Sequence, residues 1–114
     1  MIRGTTPTHT FMLPFEPPAG SAIRVVYAQG EDHKEQILFE RETSSCSING
    51  STVVVKLTPE ETCLFDCTPR WCDGVLRPYP VKIQVGVRTP ANDILWGNII
   101  VTTVERCLRK DGVV

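Results

Sequence analysis

A chain of 114 residues has room for one hydrophobic core and not for two of ordinary size, so one domain over residues 1–114 is expected. Hydrophobic residues at 41% and charged residues at 22% exclude wholesale disorder. A formal net charge of −1 and a pI near 6.1 exclude the global positive field that draws a protein onto nucleic acid.

Residues 8–15 open the chain as a strand, with Phe11, Leu13 and Phe15 on one face and Thr10 and Met12 on the other. Pro14, Pro17, Pro18 and Gly20 end it. Ile23, Val25 and Tyr27 then alternate with Arg24, Val26 and Ala28 as a second strand. A charged turn, residues 31–35, leads to a third strand over residues 36–42. There Ile37 and Phe39 are expected inward and Glu40 outward, while Leu38 is apolar on the nominally outer face. Asn49-Gly50 carries the residue types that tolerate the two positive φ angles of a type I′ turn, which predicts a hairpin into residues 52–57. Val53, Val55 and Leu57 face inward on that strand. In Thr58-Pro59-Glu60-Glu61, Thr58 is placed to cap a helix, Pro59 to be its first residue and Glu61 to close a capping box. One or two helical turns are expected, from Pro59 to about Phe65.

Residues 67–79 (CTPRWCDGVLRPY) read as a loop of unusual length for so small a chain. A long hairpin follows. Val81, Ile83, Val85 and Val87 alternate with Lys82, Gln84, Gly86 and Arg88; residues 89–93 turn the chain, and residues 94–104 return it. On the returning strand Ile94, Trp96 and Ile100 share one parity and Leu95, Ile99 and Val101 the other. A bulge near Gly97-Asn98 is expected to bring both sets to the core. Residues 106–114 are a short tail.

About six strands and one helical turn predict an all-β, antiparallel β-sandwich. The order strand, TPEET helical turn, strand resembles the bottom connection of immunoglobulin-like domains, so the expected fold is an immunoglobulin-like sandwich with one short helical turn. The strands at 23–28 and 81–87 hold no cysteine, so the inter-sheet disulfide of antibody domains is not expected.

Five cysteines are the unusual count. Met1–Pro7 lacks the apolar stretch of a secretory signal, and no apolar run approaches a membrane span, so synthesis in a cytoplasm with reduced thiols is expected. Cys63, Cys67 and Cys72 have the spacing Cys-x3-Cys-x4-Cys. Thiolates suit zinc if Cys46, Cys107 or a histidine supplies a fourth ligand, but this is not the paired spacing of a zinc knuckle. A disulfide among them, or buried idle thiols, are the other readings, and no metal or cofactor is expected. His9 and His33 have no neighbours that suggest a dyad with a cysteine. Glu60-Glu61 fit a helix N-terminus better than an acid–base pair. No catalytic set emerges, and the chain is read as not an enzyme. Arg70, Trp71, Arg77 and Tyr79 form its basic–aromatic cluster, the mixture enriched at binding hot spots, and are expected to be the partner-binding residues.

The opening TTPTHTFMLPF, the middle VVVKLTPEETCLF and the ending VKIQVGVRTPANDILWGNIIVTTVERCL resemble a group of small β proteins encoded in prophages and phages of Firmicutes. The resemblance covers most of the chain except about 67–79. It implies a non-enzymatic structural or interaction protein, virion- or tail-associated, made in the cytoplasm of a bacterial host. The implied partners are itself, as a homo-oligomer, or other phage structural proteins, with no nucleic acid and no membrane. The alternative is a small cysteine-based metal-binding or redox-responsive module.

Overall fold

Period-two alternation of apolar residues becomes strand structure throughout the computed structural model, which describes residues 1–77 and 79–108, with Arg70 and Cys72 described by backbone alone. In chain order the strands are β1 (Thr8–Met12), β2 (Ala22–Gln29), β3 (Gln36–Glu42), β4 (Ser47–Asn49) and β5 (Thr52–Lys56). A single α-helical turn, α1 (Pro59–Thr62), precedes β6 (Arg70–Cys72), β7 (Val75–Arg77), β8 (Tyr79–Arg88), β9 (Ile94–Trp96) and β10 (Ile100–Val104). Thr43–Ser45 form a 3₁₀ turn.

Every pairing between these strands is antiparallel. One sheet has the order β1-β5-β4; a larger one has the order β10-β8-β2-β3, with β9 also paired to β8; β6 and β7 form a separate hairpin. In immunoglobulin lettering these are B-E-D and G-F-C-C′, the two sheets of an immunoglobulin-like sandwich. The position of strand B belongs to β1 and not to the strand at 23–28, which is C. Neither β1 nor β8 contains a cysteine, so neither of the two strands that the antibody disulfide joins can supply it.

The core lies between the sheets. Phe11, Val53 and Val55 meet Ile23, Val25, Tyr27, Val81, Ile83, Val85 and Val87, and Leu57, Phe65, Tyr79 and Val104 complete it. Tyr27 occupies the strand that carries a core tryptophan in antibody domains. Its ring stacks on Phe39 at 4.6 Å and tilts against Phe65 at 6.2 Å. Burying these aromatic rings together supplies much of the area that holds the sheets to each other.

The helical turn forms as its residues dictate. Thr58 Oγ1 accepts the Glu61 N–H at 3.2 Å, and Glu61 Oε1 accepts the Thr58 N–H at 2.9 Å. Thr62 is fully buried; its hydroxyl donates to the Thr5 carbonyl at 2.9 Å and accepts the Gly4 N–H at 3.0 Å, fastening the N-terminal residues to α1. The turn stops at Thr62, short of the expected Phe65, whose ring is nonetheless buried.

Four local expectations are corrected. Opposite β2, the register slips so that Tyr27 pairs with Phe39 and Ala28 with Ile37; Leu38 is the extra residue. This bulge packs Leu38 against the core and leaves Ile37 exposed. In the second hairpin Asn49 pairs with Thr52, so the turn is Gly50-Ser51 and positive φ is needed only at Gly50 (60°). The paired positive φ of a type I′ turn appears instead at Asp73 (50°) and Gly74 (75°), which fold residues 70–77 into the β6–β7 hairpin in place of an irregular loop. Finally, β9 and β10 are interrupted near Gly97 as expected, but of the returning strand only Val104 is buried. The facing sheet has three strands against five, and the border formed by β9 and β10 stays exposed. Residues 109–114 of the expected tail lie outside the described residues.

Candidate interaction surface

The β6–β7 hairpin brings together part of the basic–aromatic cluster. Trp71 is 74% exposed and pairs across the hairpin with Leu76, which is also exposed, as are Val75 and Arg77. Arg70 pairs with Arg77 in register, and its side chain lies outside the described residues. Tyr79 does not join them. It opens β8 on the parity of Val81 and Ile83, toward the core, and is only 7% exposed. Its assignment as a surface contact residue is therefore corrected: it is a core residue.

The cysteines are dispersed by role. The Cys63 carbonyl accepts two hydrogen bonds from the Arg3 guanidinium, at 2.8 and 3.1 Å. Cys46 and Cys67 are half-buried against the core, and with Cys63 and Cys107 they are free thiols. Burial pushes the Cys46 thiol above its ordinary pKa, away from the reactive thiolate, with Arg41 nearby opposing the shift. The Cys72 side chain lies outside the described residues. Among the described residues, no three histidine, cysteine or acidic side chains converge as a metal site would require.

His9 is not an ordinary surface histidine. It shares a face with Phe11 on β1, stacks on Tyr27 at 5.8 Å between ring centroids, and places Nδ1 2.9 Å from the Tyr27 hydroxyl. Burial first, and then the nearby N-terminal charge, lower its pKa; burial raises that of Tyr27. The pair serves the core. Glu61 is likewise occupied: its carboxylate receives Arg41 Nε at 2.7 Å and Arg41 Nη2 as well as the cap N–H, tying β3 to α1.

A run of exposed apolar side chains lies elsewhere among the described residues. Ile94, Leu95, Trp96, Ile99, Ile100 and Val101 are each between 45% and 60% exposed. They occupy both faces of the β9–β10 border. Leu95 pairs with Val87 and Ile100 with Ile83, both core-facing; Ile94 pairs with Arg88, Trp96 with Gly86 and Val101 with Lys82, on the outer face. Trp96 lies flat on β8: a Cβ at Gly86 would stand 2.6 Å from its ring, so glycine is what permits the contact. Beside it is a groove of about 330 Å³, with Trp96 and Ile94 on one side and Arg24 and Glu42 on the other. Two of the basic residues bordering this face, Arg24 and Lys82, are paired within the chain. Arg24 holds Glu40 at 2.8 Å and Glu42 at 3.1 Å; Lys82 holds Asp32 at 2.7 Å and Glu35 at 2.9 Å.

The signal for this surface stands in the sequence. Residues 94–104 contain neither a charged residue nor a proline, while apolar side chains fall on both parities. A strand buried on one face has no use for the second set.

No protein-family model matches the chain, and no curated protein is significantly similar to it. Among solved structures, murine CRIg aligns with a TM-score of 0.43 and 8% identity, over 94% of this chain and 89% of that one. No described helix is long and apolar enough to cross a membrane. It is the strand order B-E-D against G-F-C-C′ that makes this chain an immunoglobulin-like β-sandwich.

Proposed function

We propose that this protein is a non-enzymatic contact module of a phage particle, joining other structural components through the apolar border of its larger sheet. The observation that carries the contact role is the set of six half-exposed apolar side chains on β9, β10 and the link between them. Contiguous apolar surface of this extent on a small chain marks a site of association. Trp96, held flat on Gly86, is a rigid aromatic anchor that loses little freedom on binding. The β6–β7 hairpin, with Trp71, Leu76 and Arg77, offers a second contact surface on a separate element. The phage setting is supported by the resemblance of the LTPEET turn and the closing hairpin to small prophage proteins.

Co-expression with the products of the neighbouring genes, followed by gradient sedimentation, tests this reading. The wild-type chain is expected to sediment with them, while a Trp96→Ala, Val101→Asp double variant of unchanged fold remains at the top. A double variant that sediments as the wild type does would remove the β9–β10 border as the contact surface.

A further inference from the structure

Resting on the contact role proposed above, we infer that the occupant of the β9–β10 border is a second copy of this chain, with the two β10 strands antiparallel and the two larger sheets joined edge to edge.

The position of the apolar residues selects an edge-on partner. Trp96, Ile94 and Val101 point to the outer face and Leu95 and Ile100 to the core side, so a partner lying on one face covers only half of them. A strand running along the edge covers both sets.

The backbone makes the same selection. From Thr103 onward the edge is already filled by the chain's own start: the Met1 ammonium donates to the Thr103 carbonyl at 3.1 Å, the Glu105 N–H to the Met1 carbonyl at 2.8 Å, and the Arg3 N–H to the Glu105 carbonyl at 2.9 Å. Backbone groups two residues apart on a strand point the same way. Val101 therefore presents its N–H and C=O in line with those of Thr103, and no other described strand pairs along that side. Edge strands of monomers are normally blunted by a lysine, a proline or a charge; residues 94–104 have none.

A second copy fits what such a partner must be. It must itself be a strand with apolar residues on both faces, and β9–β10 is one. An uncharged strip set against itself brings no like charges together, and the bordering Arg24 and Lys82 are neutralised within their own chain. Charges stand only at its ends, Asp93 before it and Glu105 and Arg106 after it. Six side chains at roughly half exposure offer on the order of 600 Å² per copy, against about 800 Å² per partner in a standard interface. The groove beside Trp96 supplies further surface. An isologous contact of this kind closes as a dimer and does not propagate into a fibre.

Sedimentation equilibrium of the full chain from about 1 to about 200 μM, the range in which an interface of this size is measurable, tests the inference. The wild type is expected to fit a monomer–dimer equilibrium. Val101→Lys, which introduces the missing edge charge at an exposed position, is expected to weaken it about tenfold or more with an unchanged melting temperature. Ile37→Lys, at an exposed apolar residue on the opposite border, is expected to leave it unchanged. A wild type that stays monomeric throughout overturns the second copy, and the co-sedimentation experiment then decides separately whether the border serves another partner. Val101→Lys that dimerises like the wild type, or Ile37→Lys that does not dimerise, also overturns it.

Discussion

Glu61 shows how much one side chain settles in this fold. Burial raises its pKa, but the Arg41 guanidinium and the Thr58 N–H together hold it below the ordinary carboxylate value. The capping box was legible because all its parts lie within four residues; Arg41, twenty residues away on β3, was not. Thr58→Ala removes the cap oxygen and is expected to cost about 1 kcal/mol, read as a lower denaturant midpoint at constant slope. His9 makes the complementary case. It was not read as inward from the sequence, because the Tyr27 hydroxyl that receives it stands on another strand. Because its folded pKa is lowered, the unfolded chain takes up the proton first. Stability is therefore expected to fall as pH drops below about 6.5, and to level off once the lowered folded value is passed. Melting temperatures measured from about pH 7.5 to about pH 5 are expected to show this decline. His9→Gln, which has no charge to gain, is expected to flatten it; an equal decline in the variant would assign the loss to other groups.

At the scale of elements, the two glycines that carry weight do so for different reasons. Gly86 gives room to the Trp96 ring, so Gly86→Ala is expected to lift the indole from β8 and cost roughly 1–3 kcal/mol through overpacking. Fluorescence in a Trp71→Phe background isolates the Trp96 signal; an unmoved spectrum would show that the ring does not rest there. Gly50 instead supplies a positive φ. Gly50→Val is expected to destabilise by about 1–2 kcal/mol, whereas Asn49→Val, at a paired extended position, is expected to cost far less. Thermal melts of the two variants distinguish this turn from one centred on Asn49-Gly50. The turn was misplaced by one residue because Asn-Gly is a local signal, while register is decided by strand pairing, here Ile48 with Val53 and Asn49 with Thr52. The same distinction explains residues 67–79. Proline and glycine there suggested a loop, but Asp73-Gly74 is itself a hairpin turn, and three residues on each side suffice to pair.

For the whole molecule, the sandwich was readable because its central strands obey period two without interruption: Ile23, Val25 and Tyr27 in β2, Val53 and Val55 in β5, and Val81, Ile83, Val85 and Val87 in β8. What sequence does not carry is the width of the sheet opposite. The apolar residues at 94–101 were expected in the core because both parities are apolar, and it is the three-stranded facing sheet that leaves them outside. Tyr79 erred in the other direction: its aromatic ring and its arginine neighbour suggested a surface, while its parity on β8 buried it. The proposed contact surface thus passes from the predicted loop toward the sheet border, with Trp71 and Arg77 remaining on the exposed hairpin. Hydrogen exchange read by mass spectrometry, comparing the dilute chain with its assembled form, tests that placement most directly. Peptides spanning residues 94–102 are expected to slow sharply on assembly, while those spanning residues 31–42 are unchanged and the central β8 is protected in both states. Protection that appears only at residues 70–77, with 94–102 exchanging as fast as in the dilute chain, would contradict it.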